Sequence, residues 1–171
     1  ISGFAGQGFS VDGFVSLEIS PHLADDAAAS VAEGQRLWTL VDRPNLMIKI
    51  PGTAEGVPAI EGMIYEGLSI NVTLLFAVSM HEAVMEAYLT GLERRAAEGK
   101  PINEIFSVAS FFVSRVDTMV DKELEARIKA TDDAAEKARL EGLLGQAANA
   151  NAKMAYQAFK RVFSGPRWEK L

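Results

Sequence analysis

Asn45-Leu46-Met47-Ile48-Lys49-Ile50-Pro51 places one lysine inside a run that otherwise reads as a buried β-strand. Such a lysine either snorkels to a sheet edge, where it can block aggregation, or sits in a pocket where its amine attacks a carbonyl. Desolvation favours the neutral amine that this attack needs, whereas an ionised Glu18 nearby favours the ammonium form. Glu18 also brings what imine chemistry needs next, a group that accepts and donates protons within reach of a bound water. Asn71, Thr73, Ser110 and Phe112 fall within two further apolar runs, and Arg115 lies just past the second of them. Arg115 reads either as an ordinary surface arginine or as a ligand that fixes a phosphate through a bidentate, charge-assisted pair.

The elements that must position these residues are four short apolar runs, at 14–19, 46–50, 70–76 and 106–113, each leading into a stretch of helical spacing. Helices are expected over 24–41, 55–66 and about 79–99, the last opened by the Ser79-x-x-Glu82 capping pattern. Residues 116–128 and an alanine- and charge-rich tract over 132–163 also read as helical, the tract as a solvated outer helix that Gly165-Pro166 ends. Near-continuous Val, Ile, Leu and Phe in the strands fits a parallel sheet with helices on one face and a packed interior on the other. The fold class is therefore α/β. A closed (β/α)8 barrel usually takes about 250 residues, so four βα units read as half of a TIM barrel with units missing on one or both sides. The alternative is a doubly wound open sheet, but no strand is followed by Gly-x-Gly-x-x-Gly.

Alternation of side chains sorts the polar residues by face. Ser16, Glu18 and Ser20 share one face of the first strand, and Lys49 shares its face with Met47 and Pro51. Asn71 and Thr73 align on the third, with Val72 and Leu74 opposite, while Ser110, Phe112 and Ser114 align on the fourth. Thr73 taken alone reads as an ordinary strand threonine. Four strands that each send polar groups to one face, near their C-terminal halves, match the place where βα barrels build their sites.

The chain has 171 residues, 49% of them hydrophobic and 23% charged, enough for one globular unit with a sizeable core. A net charge of −6 argues against nucleic acid or an anionic membrane as partner, and no apolar run reaches the length of a membrane helix. Absence of cysteine excludes disulfides and thiolate metal sites and suits a reducing compartment, so a cytoplasmic location is expected. His22 and His81 receive no catalytic role, since neither has metal-ligand spacing with carboxylates, and no serine sits in a nucleophile elbow. Trp38, Tyr65 and Tyr88 read as helix-face packing residues. The first residue is Ile1, so an interior piece of a longer protein is expected.

Four stretches carry a resemblance to a known family: Asp12-Gly13-Phe14-Val15-Ser16-Leu17-Glu18-Ile19, Arg43-Pro44-Asn45-Leu46-Met47-Ile48-Lys49-Ile50-Pro51, Ile70-Asn71-Val72-Thr73-Leu74-Leu75-Phe76 and Val108-Ala109-Ser110-Phe111-Phe112-Val113-Ser114-Arg115-Val116-Asp117. In this order they resemble transaldolase in its longer bacterial form. The resemblance implies a (β/α)8 barrel that transfers a dihydroxyacetone unit from sedoheptulose 7-phosphate to glyceraldehyde 3-phosphate in the pentose phosphate pathway. It makes Lys49 the Schiff-base lysine, with Glu18 and Thr73 handling protons through a water. Asn71 and Ser110 then bind the dihydroxyacetone portion, Phe112 forms a pocket wall and Arg115 holds phosphate. Sugar phosphates are the implied partners, and no metal or organic cofactor is expected.

The family's aspartate that accepts the C4 hydroxyl proton, and an asparagine on its second strand, would lie ahead of Ile1. The last two strands and a further phosphate-binding arginine would follow Leu171. Residues 1–171 are thus expected to form a single partial barrel domain, about the third to sixth strands, truncated at both ends. Alone it should be inactive or impaired and should self-associate through its exposed barrel edges. Two other readings are a Schiff-base aldolase resembling fructose-6-phosphate aldolase, and a non-catalytic assembly fragment. The long helical tract favours transaldolase over the compact aldolases.

Overall fold

A computed structural model describes residues 13–171. Asp12, which opens with Gly13 the first matching stretch, lies outside them. Strands and helices alternate as β1 (Val15–Glu18), α1 (Ala27–Val41), β2 (Leu46–Pro51), α2 (Gly56–Glu66), β3 (Ile70–Leu75), α3 (Val78–Ala97) and β4 (Ser107–Phe111). Four helices follow: α4 (Ser114–Ala130), α5 (Ala134–Glu141), α6 (Ala147–Val162) and α7 (Pro166–Lys170). The sheet runs β1-β2-β3-β4 with every pairing parallel. Spatial order that follows chain order without a reversal is the winding of a barrel, not of a doubly wound sheet, which reverses at its switch point. The architecture is α/β, a partial TIM barrel.

Packing explains the two faces of the sheet. Ile48 and Ile50 of β2 and Ile70 and Val72 of β3 are fully buried beneath α1 and α2, together with Ala59, Ile60, Met63 and Ile64. Burial of each such aliphatic side chain is worth about 1.5–3 kcal/mol. Helix ends are closed locally: the Asp26 carboxylate accepts from the Ala29 amide at 2.9 Å to cap α1, and Gly67 ends α2 in the left-handed conformation that glycine permits. Gly91 serves a different need, the close approach of α3 to α2.

Several expectations are corrected. β3 carries a bulge: Val72 pairs with Ala109 and Leu75 with Phe111, so β3 spends one residue more than β4 over this stretch. Leu74 takes a left-handed backbone (φ 59°) and is 39% exposed, and Leu75, fully buried, occupies the outward place that alternation assigns to Leu74. Ser79 does not cap α3, which begins earlier at Val78, with no side-chain hydrogen bond from its cap residue Ala77. The alanine-rich tract is two helices, broken at 142–146 where Gly145 has φ 70°. Proline at 166 starts α7, because a missing N–H costs nothing in a first turn.

The second half of that tract is not simply a solvated helix. Ala148, Ala155 and Ala158 are buried, and α6 packs against α3 and α4. Carboxylates of α4 hold the start of α6, with Asp117 Oδ1 accepting from the Ala148 amide at 2.7 Å and Asp121 Oδ1 from the Gly145 amide at 2.9 Å. Arg167 of α7 then clamps onto α3, donating to Glu93 at 2.6 and 2.7 Å and to Glu86 at 2.7 and 2.8 Å. Its guanidinium holds the Glu93 carboxyl below the usual carboxylate range. Among the described residues no helix is long and apolar enough to cross a membrane.

Between α3, the outer face of β4 and α6 lies a cavity of about 470 Å³ lined by His81, Tyr88, Ala109, Phe111, Tyr156 and Phe159 among others. His81 is buried, its Nδ1 lacks a hydrogen-bond partner, and its ring meets Phe111 edge-on at 5.8 Å. Burial lowers its pKa from the ordinary 6.5, against a smaller opposing pull from Glu82, itself paired with Arg161 at 2.6 Å. As pH falls through 6.5 the unfolded chain therefore takes up the proton first, and stability held above that pH is lost on the way down to the lower folded-state value.

Two measurements check this packing. At Gly91, an added Cβ would lie 2.7 Å from Ile64 Cγ2 and 2.9 Å from the Glu61 carbonyl oxygen. Gly91→Ala is expected to lower the unfolding free energy by about 1–2 kcal/mol in urea titration, the clash exceeding the helix-propensity gain of about 1 kcal/mol. Replacing His81 by Phe should shrink the fall in urea midpoint between about pH 7.5 and about pH 5.5. An undiminished fall would mean that other groups carry it.

Candidate active site

β2 is an interior strand, so Lys49 cannot serve as an edge-blocking lysine. Glu18 pairs in register with Lys49, and Lys49 with Asn71. Register partners in a parallel sheet project to the same side, which places a carboxylate, an amine and an amide in one row. Ile48 and Ile50, turned the other way into the helices, keep that row from rotating out of the face. Met47, two residues before Lys49 on the same side, is buried and forms the floor beneath it.

Lys49 Nζ lies 3.2 Å from Glu18 Oε2, and the two side chains retain 32% and 47% of their exposure. The amine is thus held by a carboxylate yet open to a ligand. Alongside the pair runs a chain of neutral groups. Asn71 Nδ2 donates to Ser16 Oγ at 3.0 Å, and Ser110 Oγ donates to Asn71 Oδ1 at 2.8 Å. This chain links β1, β3 and β4 across the strand that carries Lys49.

Thr73 stands further along β3, in register with Pro51 and buried; its carbonyl accepts from the Gly52 amide at 2.7 Å. It lies within the bulged stretch between Val72 and Leu75. Phe112 follows the last residue of β4, where its amide donates to the Leu75 carbonyl at 2.8 Å and its ring stacks on Phe76 at 5.0 Å. Arg115 lies in the first turn of α4, exposed, with its guanidinium 5.0 Å from the Phe112 ring centroid. No side chain caps α4 at its N-terminus, so the positive end of the helix dipole adds to the charge of Arg115, offset in part by Asp117 in the same turn, which accepts from the Ala148 amide. Ser114, aligned by parity with Ser110, belongs to this helix instead of the strand.

The face therefore combines an accessible amine, a carboxylate able to exchange protons, neutral donors and acceptors, and a cation at the rim. Among the described residues no group of three or more His, Asp or Glu could hold a metal ion. The 470 Å³ cavity described above lies against Ala109 and Phe111 on the outer side of β4, and no lysine, arginine or carboxylate lines it. It is not part of this face.

A profile of the Transaldolase/Fructose-6-phosphate aldolase family matches residues 4–168. The chain belongs to this family. A transaldolase of Thermobifida fusca is 54% identical over 161 residues, one of Parafrankia sp. 51% over 161, and one of Trichodesmium erythraeum 46% over 161. In each case the match takes in 94% of this chain and 42% of the relative, so the chain spans about two fifths of the length of these transaldolases.

Within the transaldolase-family fold, parity alone groups Glu18, Lys49, Asn71, Thr73 and Ser110 on one face, and the register brings Glu18, Lys49 and Asn71 side by side. One contributor and one contact escape a reading by parity. Asn151 of α6 donates through Nδ2 to the Phe76 carbonyl at 2.7 Å, tying the outer helix to the loop behind Phe112. Its only sequence trace is a polar residue in an alanine-rich helix, 75 positions away from its partner. Ser16 is visible by parity, but its link to Asn71 is not.

The ion pair at the centre should matter little for folding. Because the side chains are 32% and 47% exposed, Glu18→Gln and Lys49→Met are each expected to change the unfolding free energy by less than about 1 kcal/mol in urea titration. A much larger loss would show that the pair is structural.

Proposed function

We propose that the complete protein containing this chain is a transaldolase, a transferase that moves a dihydroxyacetone unit from a ketose phosphate such as sedoheptulose 7-phosphate to an aldose phosphate such as glyceraldehyde 3-phosphate. The observation that carries this reading is the accessible amine of Lys49 on an interior parallel strand, paired at 3.2 Å with Glu18 and flanked by Asn71, in a chain of the transaldolase family.

The Lys49 amine adds to the C2 carbonyl of the donor, forming a carbon–nitrogen bond, and the carbinolamine then loses its hydroxyl as water to give an imine. Glu18, working with Thr73 through a water, supplies and takes up the protons of these steps. The protonated imine accepts the electron pair when the C3–C4 bond breaks. The proton of the C4 hydroxyl passes to a base that the resemblance assigns to a strand outside this chain. Addition of the retained unit to the acceptor aldehyde and hydrolysis of the imine return the free amine.

Asn71 and Ser110 hold the hydroxyls of the retained unit, and the Phe112 ring closes one side. Arg115, at the positive end of α4, takes the phosphate and provides the local charge that a protein of net charge −6 needs for an anionic substrate. Residues 1–171 act as one partial barrel domain. Since β1 and β4 are the sheet edges among the described residues and Val15, Leu17 and Val108 are exposed, the isolated chain self-associates through those edges. A related aldolase that splits fructose 6-phosphate without transfer is the second reading, which the family's double description keeps in view.

Borohydride reduction of the complete protein with fructose 6-phosphate is expected to fix a three-carbon or hexose adduct on the peptide carrying Lys49, and Lys49→Arg to abolish it; no adduct on that peptide overturns the mechanism. Faster transfer to erythrose 4-phosphate than net cleavage separates transferase from aldolase. In sedimentation, the isolated chain is expected to be oligomeric or poorly soluble and to lack full turnover, and a fully active monodisperse monomer contradicts that.

A further inference from the structure

We infer that Ser16 is a positioning residue for the reaction at Lys49, acting through Asn71: its hydroxyl anchors the far end of an amide that reaches across β2, and so sets the plane in which Asn71 meets the substrate. The inference rests on the proposed Schiff-base reading of Lys49 and deepens it.

Asn71 is rooted on β3, while Ser16 is rooted on β1, two strands away. Only a side chain lying flat over β2 closes the 3.0 Å contact between Asn71 Nδ2 and Ser16 Oγ. That path runs over the strand between buried Met47 and Lys49, because Ser16 pairs in register with Met47 and Asn71 with Lys49. The amide is therefore pinned at both ends, by Ser16 at its nitrogen and by Ser110 at its oxygen at 2.8 Å. One bond leaves a terminal amide free to swing about its last torsion, which is broad for asparagine. Two bonds on opposite ends leave it no such freedom.

The hydrogen-bond count shows what the pinned amide presents. Of the two Nδ2 hydrogens one is taken by Ser16, and of the two Oδ1 lone-pair directions one is taken by Ser110. One N–H and one lone pair remain uncommitted on an amide whose plane is held, in the row that carries the amine. A carbonyl or imine carbon flanked by hydroxyls fits that pairing, because a hydroxyl both accepts and donates. Ser16 is exposed, so its replacement opens no buried void, and its effect is confined to orientation.

The test is a double-mutant cycle in the complete protein, with Ser16→Ala, Asn71→Ala and both together, read in steady-state transfer kinetics and urea unfolding. Ser16→Ala is expected to lower kcat/KM for the donor ketose about tenfold, the scale of a modest misplacement of a substrate-contacting group. It should leave the urea midpoint in place and have no further effect once Asn71 is alanine. Ser16→Cys, nearly the same size but a poor acceptor, should repeat the loss, and Ser16→Thr should restore most of the activity. Unchanged kinetics in Ser16→Ala, or an equal loss with and without Asn71, overturns the inference. Borohydride trapping at Lys49 in the unsubstituted protein, run alongside, keeps the two readings apart. Without a Lys49 adduct the Schiff-base reading fails, whereas an adduct together with an uncoupled Ser16 removes only the role of Ser16.

Discussion

The burial of Ile48 and Ile50 under α1 and α2 is the constraint on which the chemistry-bearing face depends. In a strand every second side chain points the same way, so committing these two to the helix layer commits Met47, Lys49 and Pro51 to the other side. A slip of one residue would push a charged amine into a fully apolar layer and bring two isoleucines out of it, at a cost of several kcal/mol. The backbone ladder passes this choice to the neighbours, setting Glu18 and Asn71 level with Lys49. The position of one amine is thus secured by packing on the side of the sheet that it never touches.

Lys49 and Asn71 on the open face each keep a partner and still have capacity to spare. Lys49 leans on Glu18 but stays partly exposed, and the Asn71 amide spends half of its hydrogen-bonding capacity on two serines. Where the sheet must change direction, it does so at one point. The bulge between Val72 and Leu75 lets Leu75 enter the core while Leu74 adopts a left-handed backbone that leucine ordinarily avoids. Strain of this kind persists only where surrounding packing imposes it, and here it adjoins the site.

The helices after β4 add a second layer of support. Carboxylates of α4 bind the start of α6, Asn151 of α6 reaches the Phe76 carbonyl, and Phe76 stacks on Phe112 beneath Arg115. Arg167 locks the last turn onto α3 through two glutamates. These clamps explain how an outer helical tract comes to hold the rim of the candidate site.

The class of fold, the winding and the face that carries Lys49 were legible in the residues alone, because hydrophobic periodicity and strand parity are local properties and the four matching stretches lie within strands or just beyond their ends. Glu18, Asn71 and Ser110 share the side of Lys49 for that reason. Parity failed at Leu74, since a bulge arises from the pairing of two strands and not from either one. The burial on α6 was also set by contacts with α3 and α4, which no short window contains. So too was the reach of Asn71 to Ser16, 55 positions apart in the chain. Sequence determined which side chains face one another's side of the sheet; only tertiary structure decided which of them touch, because a hydrogen bond between distant strands depends on the curvature and register of everything between.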